Sequence, residues 1–547
     1  MPRHPSPTAI LTVVAFGVFI AADDLTVVST MLRQIIFDLE IPLPDGLDQA
    51  AWIVNAYLIA YVVVMPFIGR LSDIAGRRTV YVGALLLFLA GSIWIPFATN
   101  FNSFIAGRVL TALGGGAMVP VAMAVVGDLY EPRRRATAMG TLGAVDTAGW
   151  VWGPLYGALL VRFLSWRWQF YLNIPLSLVA IAAAWWALGN LPRPQARPRI
   201  DWLGTAVLTV CLLALNVALL NSGDVQSDGG FASLGATAAS NATWPLYLLA
   251  AIAFTAFLLI QRHLGQRQPR QPHDTVTPSP PHPSNRRLPT PSSPHPFTQP
   301  SAEPALRLPK GHPSPPLIDL TLFGRPNFTP AVAVNFLIGC ILIIAMVNVP
   351  LLINVLEFDV GTAALVSGIL LSVMTVTMAV MAYAGGRLTE KWGYRPATLA
   401  GLAFCALGFG LMGRTWMVTT PYLIMAWQLA VLGVGFGLVI APVGTAVINA
   451  APADQRGIAA SLVIVLRLIG MSVGLAGLTA WGLGRFNVLR TQVELPDLAF
   501  TDPVYQQAIV EGLTRVTVQV LAETFLVSAV IALLALLVSL RLGRDQM

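Results

Sequence analysis

Apolar residues along this chain gather into long uninterrupted runs, with charge and proline pushed between them. About fourteen runs stand out, roughly at 8–29, 51–69, 78–97, 104–127, 136–161, 168–189, 201–221, 244–262, 328–354, 363–384, 396–412, 421–445, 457–482 and 517–540. Most approach or exceed the ~20 residues that a helix needs to cross a bilayer core. The alternating ten-residue segments of a transmembrane barrel are absent, and helices and closed barrels alone satisfy their own backbone in lipid. The pattern predicts an all-α polytopic membrane protein. The first run is too long for a signal peptide and no small-residue cleavage site follows it, so it is expected to stay as a membrane helix.

One stretch breaks the pattern. Residues 264–316, with RQPHDTVTPSPPHPSNRRLPTPSSPHPFTQP at their centre, are rich in Pro and Ser and almost free of large apolar side chains. Such a composition buries too little surface to fold and reads as a disordered linker. Every histidine except His4 lies in this stretch or at its edge, too irregularly spaced for a metal-binding tract. An intramembrane proton relay is therefore expected to use carboxylates.

On either side of the linker the sequence repeats. GRLSDIAGRR (69–78) falls between the second and third runs, and GRLTEKWGYR (386–395) between the runs at 363–384 and 396–412. Both obey G-R-L-[ST]-[DE]-x-x-G-x-R. RRRATAMGTL (133–142) and DQRGIAASLV (454–463) form a second pair at nearly the same offset. The organisation expected is a six-helix half at 1–190, a two-helix insertion at 191–263, the linker at 264–316 and a second six-helix half at 317–547.

Composition sharpens this picture. Only 11% of residues are charged, against about 25% in soluble domains, and mean hydropathy is +0.70. The net charge of +7 would suggest nucleic acid if its distribution were ignored. With both termini cytoplasmic, 24 of the 33 Lys and Arg residues fall on cytoplasmic segments, 7 outside, and 2 (Arg108 and Arg467) within helices. That is the positive-inside bias, so the basicity is topological and no nucleic-acid partner is expected. Cys211, Cys340 and Cys405 all lie in apolar runs without a C-x-x-C pattern, so neither a disulfide framework nor a metal site is expected. No G-x-x-x-x-G-K-[ST] occurs, which argues against ATP as energy source. No cofactor and no catalytic residue are expected, and the chain does not read as an enzyme.

The remaining chemistry is charge inside the membrane. GVFIAADDLTVVST (17–30) places Asp23 and Asp24 side by side in the first run. A charge at the bilayer centre costs ~3 kcal/mol or more, and such residues usually face a cavity and carry function. The structural alternative is a buried hydrogen-bonding pair. Neighbours on a helix diverge by ~100°, so the two acids cannot point the same way, and adjacent acids resist ionising together. Asp146 is a third membrane acid, a substitute proton carrier or a local partner. Arg467 is the natural counter-charge for these acids, because a buried Arg does not shed its proton. Arg108 is the second candidate counter-charge and is expected to face the cavity or the outer interface, and Glu523 the interface. Residues 482–515 form a long outer loop mixing apolar and charged positions, of a length that is often functional.

These residues resemble a family. GRLSDIAGRR is similar to the loop signature of the major facilitator superfamily. GWVWGPLYG (149–157) resembles the G-x-x-x-G-P-x-x-G signature of its proton-coupled exporters, and GRVLTALGGGA (107–117) its fourth-helix signature. Fourteen helices suggest the fourteen-helix drug:proton antiporter branch. WIVNAYLIAYVVVMPFIGRLSD, GPLYG and RGIAASLVIVLRLIGMSVGLAGLTAWGLGRFN look like the mycobacterial lipid and multidrug exporters that act with a lipid-carrying lipoprotein. The resemblance implies that Gly69, Arg70, Asp73, Gly76, Arg77 and Arg78 form a gating loop. It implies that Gly149, Gly153, Pro154 and Gly157 shape a hinge in the fifth helix, where small residues permit close packing and proline favours a bend. Asp23 aligns with the family's first-helix acid and is expected to face the cavity and carry the proton. Asp24, a further proton-coupling candidate with Asp146, is expected beside it or against a neighbouring helix. Asp146 lies one position from the acid of the lipid exporters, and those relatives have an Arg at Arg467. The implied protein is a monomeric proton-coupled exporter of amphiphilic or lipidic compounds and drugs in a bacterial inner membrane, with a lipoprotein partner. Two rivals stay open: a nutrient:proton symporter of the same fold, and a non-transporting scaffold or sensor docking through the linker.

Overall fold

The computed structural model describes residues 5–40, 47–191, 201–222, 244–266, 316–357, 359–493 and 502–543. The linker read at 264–316 thus lies, from 267 to 315, outside the described residues. The described residues form fourteen α-helices. The first six are α1 (Pro7–Asp38), α2 (Leu47–Ala75), α3 (Arg77–Trp94), α4 (Phe101–Leu129), α5 (Pro132–Phe163) and α6 (Arg167–Ala187). Two more follow, α7 (Trp202–Ser222) and α8 (Trp244–Gln266). The last six are α9 (Phe328–Leu356), α10 (Val360–Trp392), α11 (Tyr394–Thr415), α12 (Tyr422–Ala450), α13 (Arg456–Arg490) and α14 (Pro503–Ser539). Twelve of them are long and apolar enough to cross a membrane. The exceptions are α5, whose apolar face is diluted by Gly, Thr and Trp, and α7, whose described apolar stretch, Trp202–Ala218, is short.

Local sequence explains where helices start. Ser6, Asn100, Asp359 and Asp502 each accept a backbone N–H from the first turn of α1, α4, α10 and α14. The repeated signature does something more specific. Gly76 (φ 93°) and Gly393 (φ 87°) are its second glycines, and each turns one helix directly into the next, α2 into α3 and α10 into α11. A side chain at positive φ is strained, which fixes glycine at this point of both repeats.

The two six-helix groups meet along two seams. On one side α5 packs on α10 and on the other α2 packs on α13, with α4 and α12 lining the interior. Small residues make the approach close: Gly140 lies on Ala382 and Gly386, and Gly69 lies on Gly457. The insertion sits outside the α2–α13 seam, α7 touching both helices and α8 packing on α7. The Trp202 ring lies 5.7 Å from Phe67. Asp201 accepts from Gln261 at 2.7 Å, and Gln261 in turn accepts from the backbone of Ile318 at 3.1 Å. This ties α8 to the entry of the second half. Exposed apolar side chains such as Trp185, Trp186, Leu259, Val376, Val380 and Leu537 belt the bundle, as a lipid-facing surface requires.

The loop expected at 482–515 is mostly helix. α13 has 35 residues and α14 has 37, about 52 and 55 Å at 1.5 Å per residue, well beyond the ~30 Å hydrocarbon core. Their far ends pair around Phe486, Leu489, Val516 and Val520, a hydrophobic cluster separate from the main core. Arg485 grips Glu523 with two hydrogen bonds, at 2.7 and 3.2 Å, so Glu523 is a clamp between α13 and α14 rather than a free interfacial acid. Regular helix won because apolar positions at helical spacing could bury against each other. Residues 494–501 lie outside the described set.

Candidate functional site

Three charged clusters link the sequence motifs. The first is inside the N-terminal half. Asp24 is fully buried, and its Oδ2 accepts from Arg108 Nη1 at 2.8 Å. Arg108 Nη2 reaches the Asp24 carbonyl at 3.4 Å, Asn173 donates to Oδ1 at 3.4 Å, and the guanidinium lies 4.1 Å from the centre of the Tyr57 ring. Arg108 therefore faces neither the cavity nor the outer interface: it is the counter-charge of Asp24. Asp23 diverges from it as helix geometry demands. Its Oδ2 accepts from Gln169 at 3.1 Å, and its Oδ1 is buried with no partner. Asp23 points toward α5 and α6 and does not line the central cavity described below. Gly149, Gly153 and Gly157 form the α5 stripe that packs on this part of α1, with Gly153 against the Asp23 carbonyl and Thr26. Pro154 falls within α5.

The second cluster lies between the halves. Asp146 on α5 and Arg467 on α13 approach to 3.7 Å, each about 13–14% exposed. They share a small cavity with Met123, Asn335, Ile440 and Val463. Trp150, one turn from Asp146, sits 6.0 Å from the guanidinium. At 3.7 Å the pair is held by charge rather than by a direct hydrogen bond.

The third cluster closes the end of the bundle that carries the repeated signatures. Asp73 accepts from the backbone N–H groups of Gly457 (2.9 Å) and Ile458 (3.2 Å), capping a helix of the opposite half. Arg77 holds Asp73 at 2.6 Å and Asp128 at 2.9 Å, and Asp128 reaches across to Arg456 at 3.0 Å. Arg70 donates to the Asp454 carbonyl at 3.3 Å. Arg135 donates to Asn449 at 2.6 Å, and Thr137 donates to Glu390. Glu390 occupies the place of Asp73 in the second repeat, so each signature sends its acid into the other half. Gly69 and Gly76 serve through backbone. Arg78 departs from the group and stacks on Trp185 at 4.0 Å within its own half.

Asp128, Glu390, Arg456, Gln169 and Asn173 escaped sequence reasoning. Glu390 was readable from the duplication. Gln169, Asn173 and Ser177, four residues apart in an apolar run, were readable as one polar stripe. Asp128 and Arg456 carried no signal beyond their place at helix ends.

A sequence profile described as the Major Facilitator Superfamily matches residues 14–222 and 229–475. The chain belongs to that superfamily. It is a multi-pass membrane transporter of this fold. A triacylglyceride transporter of Mycobacteroides abscessus is 31% identical over 488 residues, covering 86% of this chain and 82% of the relative. The multidrug transporter protein MdtP of Bacillus subtilis is 27% identical over 497 residues, covering 91% and 79%. Among solved structures, the human organic anion transporter MFSD10 superposes with a TM-score of 0.58 at 14% identity, covering 98% of this chain and all of that one. The proton:xylose symporter XylE gives 0.57 at 12% identity, covering 97% and 94%. At such identities the two structures speak for the fold alone.

Proposed function

We propose that this superfamily member is a proton-coupled exporter of amphiphilic or lipidic compounds and drugs, acting by alternating access in a bacterial inner membrane with both termini cytoplasmic. The carrying observation is the Asp146–Arg467 pair, an acid and a base from opposite halves that meet at a cavity between them. Protonating Asp146 removes the attraction and lets the halves part. The signature-loop end, placed on the cytoplasmic side by the arginine distribution, is held shut by Asp73, Asp128 and Glu390, while opening there needs those bonds to break together. The printed names of the relatives, triacylglyceride and multidrug transporter, favour hydrophobic cargo. One proton falling through 100 mV supplies about 2.3 kcal/mol, roughly a fifty-fold accumulation.

Reconstituted vesicles with an imposed proton gradient test this reading with ethidium and a fluorescent diacylglycerol as cargo. Cargo should move against the protons, stop with a protonophore, and slow about tenfold or more in Asp146→Asn. Cargo travelling with the protons would establish a symporter and overturn the proposal.

The α13–α14 extension is the second element of this reading. A lipid leaving the outer leaflet must cross water, and a protruding hairpin with its own apolar cluster offers shelter or a dock for a lipoprotein carrier. Replacing 487–510 with a short Gly/Ser loop should preserve expression and ethidium export but reduce lipid transfer to acceptor vesicles about fivefold. Equal lipid transfer by the shortened protein removes the extension from the mechanism.

A further inference from the structure

Polar atoms buried without partners are rare in folded proteins, and here most of them fall in one half. Of the ten such side-chain atoms among the described residues, seven lie in the N-terminal half: Asp23 Oδ1, Tyr57 Oη, Arg78 Nε, Ser92 Oγ, Arg108 Nε, Gln169 Oε1 and Ser177 Oγ. Two of them, Asp23 Oδ1 and Gln169 Oε1, belong to side chains bonded to each other at 3.1 Å. Gln169, Asn173 and Ser177 are each four residues apart, so they share one face of α6. Gln169 and Asn173 are spent on Asp23 and Asp24, and all three are at most 1% exposed. Two hydrogen-bonded side chains that each keep an unsatisfied oxygen make a place for ordered water, which binds where two to four polar partners converge.

We infer that the polar face of α6 lines a water-filled proton route to Asp23, separate from the Asp146–Arg467 cavity. The separation is visible in the helices: that cavity draws its lining from α4, α5, α9, α12 and α13, and none from α1 or α6. Gln169 lies in the first turn of α6, at the end of the bundle opposite the signature loops. The aromatic cluster of Trp166, Phe104 and Phe170 surrounds this end, with ring centres 5.5 to 6.4 Å apart. A proton arrives from the outer side and passes along water held by Gln169. It is delivered to the free Oδ1 of Asp23, and the donating water is refilled from bulk. The groups facing Asp23 are Asp24 on its own helix, Tyr156 from α5 and Gln169 from α6. The proton bound for Asp23 then does not share the cargo cavity, and cargo size does not obstruct its arrival.

The inference rests on the proton-coupled reading, so its test separates the two. The full chain is reconstituted in vesicles and ethidium flux is measured twice, driven by a proton gradient and as exchange at equal pH. Gln169→Leu keeps the volume but expels water, whereas Gln169→Ser shortens the side chain and leaves room for it. Gln169→Leu should lose about tenfold more of the driven flux than of the exchange, and Gln169→Ser should keep the driven flux within about threefold of the native protein. Equal damage by Leu and Ser would make Gln169 a structural bond to Asp23 and overturn the route. A native-like Gln169→Leu would do the same while leaving proton coupling intact. A native protein whose flux ignores the gradient would remove both readings together. If Gln169→Leu fails to fold, Gln169→Met against Gln169→Ser carries the same comparison.

Discussion

Asp23→Asn should fold, insert and lose export against a gradient. Among the described residues Asp23 has no cationic partner: it accepts one bond from Gln169, and its second oxygen is unpaired. Asparagine keeps an acceptor for Gln169 and removes a buried charge, so the variant carries no stability penalty from an orphaned ion. What it cannot do is gain and release a proton. Gradient-driven flux of ethidium or lipid should therefore fall by about a hundredfold, toward the leak rate, the range expected when a proton-transferring group is deleted. Exchange at equal pH should fall much less. A variant whose flux still follows the imposed pH difference would show that Asp146 alone couples the cycle.

Arg108→Ala should have the opposite signature, a collapse of stability before any question of coupling arises. Arg108 and Asp24 are 1% and 0% exposed, and they meet at 2.8 Å. Removing one partner of a buried pair leaves an uncompensated charge, which costs about 3–5 kcal/mol. That is a large part of the ~5–15 kcal/mol by which folded proteins are ordinarily stable. Thermal unfolding in detergent should show a sharp loss of melting temperature and of folded yield. The double variant Arg108→Leu/Asp24→Leu should recover most of it, because an apolar pair of similar volume often replaces a buried ion pair without loss. Native-like melting of Arg108→Ala alone would mean that Asp24 is already neutral in the folded protein. The adjacent acids thus separate experimentally: Asp23 is read by flux and Asp24 by stability.

The sequence by itself determined the membrane class, the helical runs and the internal duplication. Those signals are local. Twenty apolar residues have one stable arrangement in lipid, and a glycine at positive φ, as at Gly76 and Gly393, reports its own backbone. Membrane acids were equally visible, since desolvation makes any such residue conspicuous, and the divergence of Asp23 from Asp24 followed from the helical period. That Arg108 answers Asp24 and Gln169 answers Asp23 was decided only in three dimensions. Arg108 sits 84 residues from Asp24 and Gln169 sits 146 from Asp23, and nothing along the chain encodes those encounters. The same holds for Asp128, which became a bridge because the fold brought Arg77 and Arg456 to its two oxygens. The extension of α13 and α14 was missed for a related reason: a few apolar residues read as a loop until a second helix covers them. Periodicity fixes the direction in which a side chain leaves its helix, but the energy of a buried charge is set by whatever the packed neighbours present to it.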